Sequence, residues 1–282
     1  MGMEFTRELL AELNDDGKNI CAYSDEISNK LADYIPKDFL KFSNRSYYFW
    51  KNKQRPVPLN IILTLMNDNQ LDLINIKSFS VGGGNKMVPP DEKSLDFHYF
   101  LGLLLGDGCL IRTKKSGNRC TYLVQITFRY RKDADNVKPI AKRLFGVKPT
   151  ILKGNGRCYN LYIHSKPLIL ILHKFYQIPI GLKYGSICVP NVVREANEKQ
   201  KIAFIKGVFE SDGNLYNYKN RKGVQIRQKS LYFLNQLKCL LDNVGIIFNN
   251  PYYDKANNSW VLWSSKIALV GNFINKIIDF KV

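Results

Sequence analysis

One short segment occurs twice in this chain, and it limits the possible folds more than any other feature. Residues 100–108 read Phe-Leu-Gly-Leu-Leu-Leu-Gly-Asp-Gly and residues 205–213 read Ile-Lys-Gly-Val-Phe-Glu-Ser-Asp-Gly, so both carry glycine at the third position and close on Asp-Gly. Gly102 and Gly106 lie four apart, hence on one face of a helix, and Gly207 and Ser211 occupy the equivalent face of the second segment. A glycine inside a helix costs about 1 kcal/mol relative to alanine. Small residues on one face make sense where two helix backbones must touch, so the two segments are predicted to pack on each other as a seam.

The surroundings of the two copies repeat as well. Half one is predicted to run helix, two strands, helix, two strands, helix, with helices at 95–107, 133–145 and 166–176 and strands near 109–114, 121–129, 150–153 and 159–164. Half two follows the same order, with helices at 199–212, 230–244 and 266–278 and strands at 214–218, 224–228, 247–253 and 260–263. Val124-Gln125-Ile126 returns as Val224-Gln225-Ile226 at the same place in each half. Internal duplication explains both repeats. The fold class is therefore α+β, with half one at 95–178, a connector at 179–198 and half two at 199–282. Ahead of them, residues 1–77 read as a small helical, helix-turn-helix-like domain with helices at 25–34, 36–42, 45–52 and 58–66, capped by Ser24, Ser43 or Asn44. A polar, glycine-bearing linker at 78–94 joins that domain to the rest.

Charge is distributed unevenly along this plan. The net charge is +18, and 30 of the 42 basic but only 11 of the 24 acidic residues lie beyond residue 95. A basic surplus confined to the repeated part points to a polyanionic partner there. The first 95 residues are close to neutral. Arg45 and Lys51 in the third helix would face DNA if the domain binds it, but a plain packing or protein-contact role fits the same residues equally. Cys21, Cys109, Cys120, Cys158, Cys188 and Cys239 form no CxxC pair, and His98, His164 and His173 are scattered, so neither a zinc ribbon nor a disulfide framework is indicated. With neither a signal-like N-terminus nor an apolar run approaching the roughly 20 residues of a membrane span, the expected location is cytoplasmic, nucleoid-associated or organellar, and not secreted.

Asp107 and Asp212 close the two helices, where unpaired carbonyls and the helix dipole are already negative. Gly108 and Gly213 then read as left-handed caps. If the seam brings the ends together, the two carboxylates repel, and a divalent cation resolves both conflicts. Two aspartates with nearby carbonyls, those of Gly106 and Ser211, form a hard oxygen donor set suited to Mg²⁺ or Mn²⁺.

These paired segments resemble the two signature helices of single-chain LAGLIDADG homing endonucleases over about residues 95 to 280. The resemblance implies two pseudo-symmetric αββαββα halves whose sheets form a saddle over double-stranded DNA. It also implies metal-dependent hydrolysis of one phosphodiester per strand, with Asp107 and Asp212 as metal ligands. Polar and basic residues near the end of the second strand would assist, here Arg129 in half one and Gln228 and Lys229 in half two. Phe128 departs from the polar residue expected at its position, and Leu105 replaces the acidic residue that the second copy keeps as Glu210. DNA contact is expected from Arg112, Lys114, Lys115, Arg119, Lys153 and Arg157 in half one, and from Tyr218, Lys219, Arg221, Lys222, Arg227 and Lys255 in half two. The implied protein is a monomer on a long asymmetric site, active in intron homing. A chain that starts Met1-Gly2 and ends Phe280-Lys281-Val282 is not expected to be an intein. The alternative is a domesticated transcription regulator or RNA maturase that binds DNA or intron RNA without cutting.

Overall fold

The computed structural model describes residues 3–15, 20–34, 43–68, 71–81, 86–114, 120–183, 185–218, 221–265 and 267–282. They divide into two compact units, one made of Met1–Pro90, Lys142–Lys148 and Ser165–Phe175, the other of Asp91–Ala141, Pro149–His164 and Tyr176–Val282.

In chain order the first ninety residues form β1 (Met3–Thr6), α1 (Arg7–Asp15), β2 (Ile20–Tyr23), α2 (Asp25–Tyr34), α3 (Asn44–Lys51), β3 (Val57–Pro58), α4 (Leu59–Asp68), β4 (Leu73–Ile76) and β5 (Ser78–Val81). α2, α3 and α4 fall where apolar spacing and caps placed them, whereas α1 is not among the expected helices. Ser43 caps α3 by accepting from the backbone N–H of Ser46, and Ser24 does the same for Ile27 at the start of α2. The helical reading of this region needs strands added. β1 pairs antiparallel with β4, and β2 lies between β3 and β5 in a second small sheet. Strands as short as Met-Glu-Phe-Thr and Ile-Cys-Ala-Tyr offer no alternation long enough to be told from a helical turn. The expected linker at 78–94 likewise opens inside the fold, because β5 pairs with β2 and Phe79 bridges to Met87. The expected helix at 36–42 and the glycine run at 82–84 lie outside the described residues.

Half one continues with α5 (Leu95–Gly106), β6 (Gly108–Lys114), β7 (Cys120–Phe128), α6 (Arg131–Phe145), β8 (Thr150–Lys153), β9 (Tyr159–His164) and α7 (Lys166–Lys174). A short helix, α8 (Asn191–Arg194), occupies the connector. Half two is α9 (Glu198–Asp212), β10 (Gly213–Tyr218), β11 (Arg221–Gln228), α10 (Leu231–Asn243), β12 (Tyr252–Asp254), β13 (Ser259–Ser264) and α11 (Ile267–Phe273), which ends in a π-helical turn at Ile274–Ile278. The two four-stranded antiparallel sheets have the same order, β6-β7-β9-β8 and β10-β11-β13-β12. Their registers agree too: Gly108 faces Ile126 in one and Gly213 faces Ile226 in the other. The repeated Val-Gln-Ile triplets therefore do the same thing twice. Val124, Ile126, Val224 and Ile226 are fully buried, and Gln125 and Gln225 point to the opposite, open face.

Half one does not close on itself as a separate body. Pro167 to Leu172 of α7 are all buried, so this helix needs cover on every side. In the first unit it packs on α1 and β5, and Phe175 beside it meets Phe5 edge to face at 5.3 Å. Packing thus crosses the division expected at 78–94 between the first domain and half one, which hydrophobic spacing alone does not reveal. No helix among the described residues is long and apolar enough to cross a membrane.

Candidate active site

The seam between the halves is the contact of α5 with α9. A Cβ added to Gly102 would lie 2.3 Å from the carbonyl oxygen of Phe204, and one added to Gly207 would lie 2.2 Å from that of Tyr99. Both glycines are needed because the backbones touch there. Gly106 is confined in the same way, since its added Cβ would meet Ser211 Oγ at 1.8 Å and Asp212 Oδ2 at 2.9 Å. That last contact also carries the Asp212 carboxylate across the seam to the end of α5, beside Asp107. Tyr99 ties the helices again by donating from its hydroxyl to Glu210 Oε2 at 2.5 Å.

The glycines after the aspartates have a different role from the expected left-handed cap. Gly213 has φ −93° and ψ 158°, an extended conformation, and Gly108 is not among the positive-φ glycines either. What they permit is a sharp exit. A Cβ on Gly213 would lie 2.4 Å from the carbonyl oxygen of Phe209, and one on Gly108 would lie 2.7 Å from Cα of Leu104. Each strand leaves so close to the last helical turn that only glycine fits.

At this junction the two carboxylates are electrostatically unfavourable. Burial first, and then the Asp107 charge, raise the Asp212 carboxyl to about 7 against the lowering effects of a hydrogen bond from Gln228 Nε2 and of Lys183. Asp107 is open to solvent, yet the packed helix ends desolvate its carboxylate enough to raise it as well, with Lys183 opposing. Asp107 lines two cavities. One of about 510 Å³ also holds Asp212, Lys183, Arg227, Gln228 and Lys229. The other, of about 560 Å³, holds Tyr99, Thr127, Arg129, Asp133, Glu210 and Ser211. Among the described residues no three His, Cys, Asp or Glu side chains cluster as a metal site. Any cation here would rest on the aspartate pair and main-chain oxygen.

Sequence reasoning missed Lys183. Its Nζ donates to the carbonyl oxygens of Leu104, Leu105 and Gly106 at 3.2, 2.8 and 2.6 Å. The Gly106 carbonyl, expected as a metal donor, is therefore engaged by an ammonium. The available signal was Gly181-Leu182-Lys183-Tyr184-Gly185, a lysine bracketed by glycines in an otherwise unexplained connector.

Known proteins resemble this chain in sequence and fold. Residues 199–272 match the family described as LAGLIDADG-like domain. The homing endonuclease I-DmoI of Desulfurococcus mucosus is 30% identical over 154 residues, which cover 52% of this chain and 70% of I-DmoI. The chain belongs to the LAGLIDADG homing endonuclease family. The crystal structure of I-DmoI in complex with DNA and Mn superposes with a TM-score of 0.55 at 25% identity, covering 68% of this chain and all of that one. The replication factor C small subunit of Methanocaldococcus jannaschii is 27% identical over 184 residues, but the match spans only 10% of that protein. Most of it therefore has no counterpart here.

Within this LAGLIDADG frame the expected catalytic residues gather in part. Asp107, Asp212 and Gln228 come together, and Arg129 and Lys229 are exposed at the rims of the two cavities. Arg129 lies over the Tyr130 ring at 5.4 Å. Phe128, in the place of Gln228, is only 9% exposed and offers half one no polar counterpart. The expected DNA contacts scatter more. Arg227 stands on the open face of its sheet, paired with Asp254 at 2.5 Å and donating to Ser259 Oγ at 3.3 Å. Arg112 alternates with Leu110, so it shares the helix-backed side, and it stacks on Tyr122 at 5.6 Å. Lys153 shares that side too, opposite Tyr159, though it is exposed. Arg157 and Lys255 are exposed in turns, and Lys222 is exposed opposite Asn217. Lys114 pairs with Cys120, and Tyr218 with Arg221, at the ends of their hairpins. Lys115, Arg119 and Lys219 lie outside the described residues. Arg45 and Lys51 are exposed on α3, in the first unit.

The open face of half one is instead built from neutral groups. Gln125 donates to Thr127, Thr127 to Asn160, and Asn160 to Tyr162, in one hydrogen-bonded row across two strands. On the matching face of half two, Gln225 and Arg227 are joined by Tyr252 and Trp263, whose rings meet edge to face.

Proposed function

We propose that this chain is a site-specific double-strand DNA endonuclease of the homing type, with one composite centre shared by the ends of α5 and α9. The observation that carries this reading is the aspartate pair: two desolvated carboxylates held together across a glycine seam, with raised pKa values. A pure binding protein would gain nothing from such a pair facing phosphate.

The residues fit a hard divalent cation. Asp107, Asp212 and the Ser211 carbonyl would hold Mg²⁺ or Mn²⁺, and the all-oxygen donor set suits either ion. When bound, such a cation neutralises the pair, makes the attacking water acidic and stabilises charge developing on the scissile phosphate. The chain's own side chains do the rest. Gln228 fixes the Asp212 carboxylate through its amide N–H, and Arg129 and Lys229, each lining a different cavity, would offer cations to phosphate. The neutral amide row of half one suits adenine edges, and Arg227 in half two suits guanine. Two unlike faces on one chain support a long asymmetric site read by a monomer. The basic, aromatic α3 with Arg45 and Lys51 supports an added DNA contact from the first unit, and intron RNA is the alternative polyanion.

Mapping cut ends on a random DNA library tests this reading. With Mg²⁺ the purified chain should enrich one sequence cut on both strands, and EDTA should abolish the enrichment. Sequence-specific binding with no cut ends in Mg²⁺ or Mn²⁺ would instead identify a domesticated DNA-binding protein.

A further inference from the structure

Lys183 comes from the connector, not from either motif, yet the fold delivers it to the centre. Ile180 bridges to Leu110 of β6, and the Gly181 N–H donates to the Leu110 carbonyl at 2.8 Å. Gly181 at φ +87° and Gly185 at φ +76° then bend the chain on either side, in a conformation that other residues adopt only with strain. The ammonium has three N–H donors, and three carbonyls at the end of α5 accept them. Helix-terminal carbonyls lack partners within the helix and favour a cation, so this contact caps α5 from outside. With its donors engaged this way, Lys183 has none left for a DNA phosphate. Burial lowers the pKa of the Lys183 ammonium below the usual lysine value, and the charges of Asp212 and Asp107 beside it work the other way, holding the proton on.

We propose that Lys183 is the built-in counter-ion of the aspartate pair. It is a positioning residue that holds the end of α5 and offsets the repulsion between Asp107 and Asp212 while no divalent cation is bound, and it weakens the affinity for that cation. Only the effect on affinity rests on the nuclease reading above.

Two substitutions separate charge from hydrogen bonding: Lys183→Gln keeps an N–H donor without the charge, and Lys183→Met removes both. In calorimetric titrations of the full chain with Ca²⁺, both variants should bind at least about tenfold tighter than the parent, because a fixed positive charge beside the site is gone. In EDTA both should melt below the parent, with Ca²⁺ closing the gap. The lowering caused by Lys183→Gln should vanish when Asp107→Asn and Asp212→Asn are already present, which is the coupling expected of a counter-ion. If Lys183→Met fails to fold, Lys183→Gln decides. A folded Lys183→Gln variant with unchanged or weaker Ca²⁺ affinity overturns the proposal, and so does a melting loss that persists in the double-Asn background. Coupling in EDTA together with no Ca²⁺ binding by any form would uphold the counter-ion and refute the metal centre.

Discussion

The two halves share a frame and differ in what they hang on it. Strand order, register, the seam glycines and the buried Val-Ile pairs are common to both. The groups around the aspartates are not. Half two supplies Gln228 to hold Asp212 and Glu210 to receive Tyr99, where half one has Phe128 and Leu105. The open face of half two carries a charged pair and aromatic rings, that of half one a neutral amide and hydroxyl row. The difference teaches that backbone contact allows little drift, because a single methyl at Gly102 or Gly207 has nowhere to go. Side chains facing a ligand can diverge once one chain encodes both halves.

The largest effect should come from breaking the common frame. Gly207→Val forces a branched side chain into the backbone of α5 and should destabilise the chain by about 3 kcal/mol or more, measured by urea unfolding. Stability within about 1 kcal/mol of the parent would mean that the seam is loose. Gln228→Ala probes the asymmetry. Losing the hydrogen bond to Asp212 should weaken divalent-cation affinity by about tenfold or more, read by calorimetry with Ca²⁺. Phe128→Ala should leave that affinity within about threefold, because Phe128 touches neither carboxylate by a polar atom. Equal losses in the two variants would erase the asymmetry.

A pH series sharpens it further. With its carboxyl raised from 3.8 to about 7, Asp212 keeps a proton in the folded chain that the unfolded chain has lost. The contribution of Asp212 is therefore complete below about pH 4 and disappears as pH rises through 7. In EDTA the melting temperature should fall across that window less in Asp212→Asn than in the parent, and Ca²⁺ should raise the parent more at pH 8 than at pH 5. Identical slopes for parent and variant would contradict the raised carboxyl. The smallest effect concerns reading. Asp254 is held down to about 2, chiefly by the hydrogen bond from Arg227. Freeing that guanidinium with Asp254→Asn should steepen the salt dependence of DNA binding by about one charge. An unchanged slope would mean that Arg227 stays clear of the DNA.

Much of this was legible in the sequence, for identifiable reasons. Helices such as Asp25–Tyr34 and strands such as Thr150–Lys153 and Tyr159–His164 fall where spacing alone put them. The seam followed from glycines four apart, since no other residue type explains that pattern. The strands of the first unit escaped because four residues are too few to show a period. Lys183 escaped because its role depends on a connector returning to β6, a long-range contact with no local signature. The open face of half one was passed over for a related reason. Charge marks an electrostatic partner, but strand register assigns the faces, and it gives the open face of half one to Gln125, Thr127, Asn160 and Tyr162, none of them charged.

The central claim is that Asp107 and Asp212 form one shared centre, and strand-resolved cleavage of a supercoiled plasmid carrying the selected target tests it most directly. Asp107→Asn and Asp212→Asn, each alone, should slow cutting of both strands by more than about a hundredfold, while binding to the target is retained. A single variant that still cuts one strand at the parent rate would contradict the shared centre and divide it into two independent sites.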